Sequence, residues 1–202
     1  MKLQEMVKYD LKKKVRLGIL GGTFDPAHKG HLKISRVAKK LFKLEKVVWA
    51  ITKKNPFKNK SFYSLNKRIQ IAKNLTSKTK YVNVGYYEKK IKSNKTIKLI
   101  NFFKKNHRNE IFLIMGADNL INFHKWEKWT WIMENIPVGV MARPGDTIRA
   151  GLSLTALRYQ KFRVKSSYAG LMPFMNPPVW SLLGGPTRDV SSTQIRCNVK
   201  RK

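Results

Sequence analysis

The sequence predicts an α/β protein built on a Rossmann-like, doubly wound parallel sheet in one domain. Three observations predict it. Apolar runs at Val15–Leu20, Val47–Ile51 and Ile111–Met115 end without the polar alternation of a half-exposed strand, as strands covered on both faces do. Stretches with apolar residues at helical spacing lie between these runs. Strand and helix therefore alternate, and that order implies parallel strands joined by right-handed crossovers.

In chain order, the first run leads through Gly21-Gly22 into a helix expected to start near Gly30–His31, with Leu32, Val37, Ala38, Leu41 and Phe42 facing the core. After the second strand, the Lys-rich stretch Thr52–Tyr63 contains Pro56 and reads as a loop. Ser64 is a good N-cap for a helix whose stripe is Leu65, Ile69, Ala72 and Leu75. Tyr81–Val84 alternates as a strand, Glu88–Asn94 reads as a polar loop, and Thr96–Lys105 reads as a helix with Ile97, Ile100 and Phe103 inward. Ile136–Met141 is expected as a strand, Leu152–Phe162 as a helix, Tyr168–Pro178 as irregular and Val179–Leu183 as the last strand.

At 202 residues the chain is long enough for one full core, and 42% hydrophobic content argues against disorder throughout. No apolar run approaches the roughly twenty residues needed to cross a bilayer. Residues 1–14 read as a basic extension and residues 15–202 as the domain. The extension lacks an apolar core and a small-residue cleavage site, so no signal peptide is expected. A lone cysteine, Cys197, cannot close an internal disulfide. A cytoplasmic location is the expectation. Net charge is +32, from 43 Lys+Arg against 11 Asp+Glu, which raises a nucleic-acid-binding reading. That excess is mostly Lys, spread along the chain and accompanied by abundant Asn, as a coding bias would leave it. A general attraction for anions such as nucleotides, weakened by salt, fits it better.

The chemistry gathers around the first strand. Gly21-Gly22 turns the backbone where side chains would clash and leaves bare amides open to an anion. The next helix adds more amides and its positive dipole end. His28 and His31, three apart at that helix start, can point to one side. No G-x-G-x-x-G and no G-x-x-x-x-G-K-[ST] occurs, so neither a dinucleotide fingerprint nor a P-loop is present. In the loop after the second strand, Lys53, Lys54 and Lys58 are within reach of a triphosphate or serve solubility. Asp118 follows Gly116 off a strand end, where ligands bind in such sheets; it reads as a ribose-binding carboxylate, a helix N-cap, or both. Near the end, Ser192 and Thr193 can start a capped helix whose amides and hydroxyls face an anion, with Arg196 one turn on. Phe123–Trp131 holds three of the five tryptophans; Trp129 and Trp131 read as core and His124 as surface.

The string Gly21-Gly22-Thr23-Phe24-Asp25-Pro26-Ala27-His28-Lys29-Gly30-His31 resembles the signature of the nucleotidyltransferase superfamily with the H-x-G-H motif, and is most similar to that of bacterial nicotinate-mononucleotide adenylyltransferases. Gly116-Ala117-Asp118-Asn119-Leu120 resembles that family's Gly-x-Asp-x-Leu, and Ser191–Arg196 its Ser-Ser-Thr-x-x-Arg. The resemblance implies that His28, His31 and Arg196 are catalytic. It implies that Gly21, Gly22, Thr23, Phe24, Lys58, Gly116, Asp118, Ser192 and Thr193 bind ATP. It also implies that Trp126 stacks on the nicotinate ring and that Arg143, in an Arg-Pro-Gly, contacts an anion. The family's Pro-Pro-His-Lys is Asn55-Pro56-Phe57-Lys58 in this chain.

The implied reaction carries the adenylyl group of ATP to nicotinate mononucleotide, giving deamido-NAD and pyrophosphate. Its nucleophile is a phosphate oxygen already ionised near pH 7, so alignment and donors around the spreading charge suffice without a general base. Mg²⁺ is expected to arrive with ATP, with no metal site on the protein. The alternatives are another adenylyl- or cytidylyltransferase of the superfamily, such as the pantetheine-phosphate enzyme, and a basic nucleic-acid-binding protein.

Overall fold

The structure, a computed structural model, describes residues 15–54, 61–107, 110–142 and 145–184, together with Ser192. Its strands are β1 (Arg16–Gly22), β2 (Lys46–Ile51), β3 (Val82–Gly85), β4 (Glu110–Gly116), β5 (Val138–Met141) and β6 (Trp180–Leu183). They form one sheet in the order β3-β2-β1-β4-β5-β6, every neighbouring pair parallel. The order reverses between β1 and β4, so the crevice at the carboxyl ends of these two strands is the topological switch point.

Both faces of the sheet are covered, as the apolar runs require. Helices α1 (Lys29–Leu41) and α2 (Leu65–Thr76) pack on one face. The short α3 (Glu88–Ile91), then α4 (Thr96–His107), α5 (Ala117–Ile121), α6 (Trp129–Asn135), α7 (Thr147–Gly151) and α8 (Leu154–Arg158) lie with the other. Strand residues alternate between the layers. Leu17, Ile19, Val48, Leu113 and Met115 enter the α4–α8 side. Leu20, Val47, Trp49, Phe112 and Ile114 enter the α1–α2 side. On that side Phe42 stacks on Phe112 at 5.4 Å. A Cβ on Gly139 of β5 would stand 2.5 Å from the Phe42 ring, so the close approach of ring and strand requires glycine there.

Several expectations shift. The polar stretch after β3 is not wholly a loop, because α3 forms a turn that ends where Lys92 takes φ 50°. The single helix expected over Leu152–Phe162 is shorter and broken: α8 begins at Leu154, ends at Arg158 and is followed by a 3₁₀ turn at Gln160–Phe162, while α7 ends before this stretch. Ser153 separates α7 from α8: its hydroxyl donates back to the Ala150 carbonyl at 2.8 Å and accepts from the Ala156 N–H at 3.3 Å, ending one helix and capping the next. Ser166–Phe174, read as irregular from Tyr168 on, is a 3₁₀ segment. Ile136 closes α6 and the strand begins at Val138. Trp129 and Trp131 are only half-buried against the core, and His124 is partly buried rather than a surface residue.

Tyr159 gives the fold a pH dependence. Its ring is buried, its hydroxyl donates to Glu134 Oε1 at 2.8 Å, and its carbonyl accepts from Trp180 Nε1 at 2.8 Å. Burial first, then the Glu134 hydrogen bond and charge, push the phenol up to about 12. A raised folded-state pKa gives stability that is full below the unfolded phenol's pKa of about 10 and lost as pH climbs through the folded one. The difference in melting temperature between wild type and Tyr159→Phe is expected to shrink between pH 10 and pH 12; a difference constant over that window would contradict this.

Candidate functional site

β1 ends in Gly21 and Gly22, and the Gly22 carbonyl accepts from the Thr52 N–H at 2.9 Å, tying the ends of β1 and β2 together. The chain then turns through Phe24, a buried non-glycine residue at φ 47°, in the left-handed region. The Phe24 ring stacks on Trp49 at 5.0 Å. Asp25 is 6% exposed, and its carboxylate accepts the N–H groups of Phe62 at 2.6 Å and Tyr63 at 2.9 Å.

The two histidines cap α1 reciprocally. His28 Nδ1 accepts from the Gly30 N–H at 3.1 Å, and His31 Nδ1 accepts from the His28 N–H at 3.2 Å. This is a capping box made from imidazoles in place of a hydroxyl and a carboxylate. An Nδ1 that accepts leaves the ring proton on Nε2, so each ring turns an N–H donor away from the helix. The ring centroids are 4.0 Å apart, and His31 also lies 4.7 Å from the Phe24 ring and 5.8 Å from Trp49. Trp49 Nε1 donates to Ser35 Oγ at 2.7 Å, and that hydroxyl donates to the His31 carbonyl at 2.9 Å. The imidazole pair is thus held from below by buried aromatic and hydrogen-bonding groups.

Ser192 reaches this loop from the other end of the chain: its hydroxyl donates to the Pro26 carbonyl at 3.0 Å. Gly116 closes β4 and is itself the N-cap residue of α5, so Asp118 sits inside the first turn and is not the cap. Of the other expected site residues, Lys58, Arg143, Thr193 and Arg196 lie outside the described residues.

A cleft of about 190 Å³ opens over the strand ends. Gly21, Gly22 and Ala50–Thr52 line one part of it, Tyr87, Glu88 and Ile91 another, and Lys95, Asn119 and Trp126 are among the remaining lining residues. Trp126 is half-buried and meets Phe123 edge-on at 5.0 Å. The cleft therefore joins the glycine turn and Trp126, which the sequence assigned to different ligands. Asn119 lines it and Asp118 does not; His28 and His31 lie further along the β1 loop.

Sequence reasoning missed the wall at Tyr87–Glu88 and one buried cation. Gly85 hinted at the wall. A Cβ there would meet the Tyr87 ring at 2.7 Å, so glycine lets the ring lie against the strand end. Gly85→Ala is expected to move Tyr87 and raise the KM of whichever substrate occupies the cleft severalfold, leaving the other substrate's KM near wild type; unchanged values for both would contradict this. The missed cation is Arg68, 2% exposed. Its guanidinium donates to the carbonyls of Thr23 at 2.7 Å, Thr52 at 2.7 Å, Lys53 at 3.0 Å and Tyr63 at 3.2 Å. Burial lowers its pKa from the ordinary guanidinium value, and the nearby charges of Asp25 and Glu88 oppose that. A signal was available. Arg68 falls in register with Leu65, Ala72 and Leu75, a charge set within the apolar stripe of α2.

The sequence model of the cytidylyltransferase-like family matches residues 19–198. A Pelagibacter ubique protein named "Probable nicotinate-nucleotide adenylyltransferase" is 53% identical over 144 residues, 71% of this chain and 80% of the relative. A Ruegeria protein of the same name is 39% identical over 181 residues, 89% of this chain and 95% of the relative. Among solved structures, Plasmodium falciparum nicotinic acid mononucleotide adenylyltransferase complexed with NaAD shares the fold. Its TM-score is 0.67 at 14% identity, over 92% of this chain and 83% of that one.

Proposed function

The chain belongs to the cytidylyltransferase-like family, among the nicotinate-nucleotide adenylyltransferases, and we infer from this that it transfers the adenylyl group of ATP to nicotinate mononucleotide. The products are deamido-NAD and pyrophosphate, a step of NAD biosynthesis. The observation within the site that supports it best is the single cleft bordered by both the Gly21–Gly22 turn and Trp126. A mononucleotide whose ring lies on the indole would have its phosphate on the side of the glycine turn.

In this reading a phosphate oxygen of the mononucleotide attacks the α-phosphorus of ATP. The P–O bond to the pyrophosphate breaks, and pyrophosphate leaves carrying the electron pair. The attacking oxygen is already ionised, so no side chain takes a proton. The protein aligns the two anions and offers donors where negative charge builds. The Nε2–H groups of His28 and His31 supply two donors held in place by their capping bonds. Backbone groups of Gly21, Gly22, Thr23 and Phe24 line the phosphate path, with Lys58, Ser192, Thr193 and Arg196 completing it. Gly116 and Asp118 meet the adenosine, Trp126 stacks on the pyridine ring, and Arg143 contacts an anionic group. The nucleotide substrate is MgATP. Among the described residues no three His, Cys, Asp or Glu side chains gather as they would to hold an ion. No helix of the described residues is long and apolar enough to cross a membrane. The cytoplasm is the proposed compartment.

Release of pyrophosphate from ATP, measured with a panel of acceptors, tests the reading. Turnover with nicotinate mononucleotide is expected to exceed that with nicotinamide mononucleotide and phosphopantetheine. Preference for phosphopantetheine would assign the chain to another branch of the superfamily. Silence with every acceptor beside salt-sensitive RNA binding would favour a nucleic-acid role.

A further inference from the structure

We propose that Arg68 is a positioning residue for phosphoryl chemistry: by holding the Thr23 carbonyl it fixes the Phe24 N–H as a phosphate donor. The proposal rests on the adenylyl-transfer reading of the site.

Three backbone segments meet at this guanidinium: the β1 loop at Thr23, the end of β2 at Thr52 and Lys53, and the entry to α2 at Tyr63. Asp25 ties two of the same segments from the other side, by accepting from Phe62 and Tyr63. The β1 loop is therefore held twice, once through a carbonyl and once through a carboxylate. The cis peptide bonds of the described residues are Asp25–Pro26 and Pro177–Pro178, so Thr23–Phe24 is trans. In a trans unit the C=O and N–H point in opposite directions. With the Thr23 oxygen drawn to a guanidinium inside the protein, the Phe24 N–H points away from that guanidinium, and the proposal sets the phosphates on the side it faces. None of the described backbone hydrogen bonds uses that N–H. Phe24 also sits at φ 47°, which a side chain adopts only when its surroundings impose it. The Trp49 stack and the Arg68 bond impose it from two directions.

Arginine suits the task because its planar fork serves several carbonyls at once, while an ammonium on a shorter stem serves fewer. Nothing in a fold-holding role alone requires one of the four carbonyls to belong to the peptide that precedes a candidate phosphate donor.

The test compares Arg68→Met and Arg68→Lys in the full chain, with kinetics normalised to the folded fraction. Arg68→Met is expected to lose about tenfold in kcat, as small misplacements of a reacting group do, with the KM for nicotinate mononucleotide within about twofold. Arg68→Lys should recover part of that loss. A kcat per folded molecule equal to wild type in Arg68→Met would overturn the proposal, and so would equal losses at both substrates' KM with kcat intact. A second measurement needs no Arg68→Met protein and no turnover. In ¹⁵N-labelled wild type titrated with inorganic pyrophosphate, the Phe24 amide resonance should move downfield, and should move less in Arg68→Lys. A Phe24 resonance that stays fixed while other loop amides shift would also overturn it. Absence of transfer to nicotinate mononucleotide in wild type, with the Phe24 shift intact, would sink the adenylyl-transfer reading and leave the positioning of the amide standing.

Discussion

His31→Ala is expected to lower kcat about 10²- to 10³-fold, the cost of removing one preorganised donor from a developing charge. The KM for nicotinate mononucleotide should change little, because the donor acts where charge builds in transfer and not on the bound pyridine ring. His31 also has a structural task, and the expected result must be separated from it. Its Nδ1 accepts the His28 N–H, so alanine removes part of the α1 cap and costs about 1 kcal/mol of stability. It also opens the contacts to Phe24 and Trp49. His31→Glu separates the roles. A carboxylate at this helix position restores the capping box but presents negative charge where the imidazole presents Nε2–H. The melting temperature of His31→Glu should return toward wild type while kcat stays at or below the alanine level. Recovery of activity together with stability would reduce His31 to a helix cap. Steady-state kinetics and thermal melts on the two variants are sufficient.

Trp126→Ala is expected to raise the KM for nicotinate mononucleotide about 30-fold and to leave the KM for ATP within about twofold. The magnitude follows from stacking of a base on an aromatic ring, worth about 1–3 kcal/mol by alanine substitution. An electron-poor pyridinium against an indole face belongs to the favourable end of such contacts. Trp126 lines the cleft, and its ring meets Phe123 edge-on at 5.0 Å. The loss of that contact lowers stability as well, so the comparison belongs at a temperature well below the variant's melt. Trp126→Phe should fall between wild type and alanine. An unchanged KM for the mononucleotide in Trp126→Ala would remove the indole from the substrate site.

Much of the architecture was legible because it depends on local, one-dimensional signals. Both faces of this sheet are covered, so β1, β2 and β4 are apolar along their length once past their first, charged residues. Ser64 caps α2 as read, accepting from the Lys67 N–H at 3.3 Å. The glycine turn and the histidine pair fall together for a similar reason, since they occupy one strand, one loop and one helix start. What was not legible depends on partners distant in sequence. The short α3 carries Glu88, whose carboxylate accepts from the Thr52 hydroxyl and the Lys53 N–H across the cleft. No periodicity in Glu88–Asn94 encodes that. The gap between α7 and α8 turns on Ser153, which satisfies two backbone groups locally and so sets where α8 begins. Of the two readings of Asp118, the N-cap falls because Gly116 takes that place. Arg68 was hidden in the opposite way: an apolar stripe invites a reader to pass over the one charge it contains, and the four carbonyls that justify it come from three separate parts of the chain.

Transfer of an adenylyl group from ATP onto nicotinate mononucleotide is checked by following isotope from ATP. With ATP labelled at the α-phosphorus, the label is expected to pass into a dinucleotide with the mass of deamido-NAD. With ATP labelled at the γ-phosphorus, the label is expected to leave in pyrophosphate. Label from the α-position that stays in ATP or AMP with nicotinate mononucleotide present, or γ-label that appears on the acceptor, would contradict the transfer.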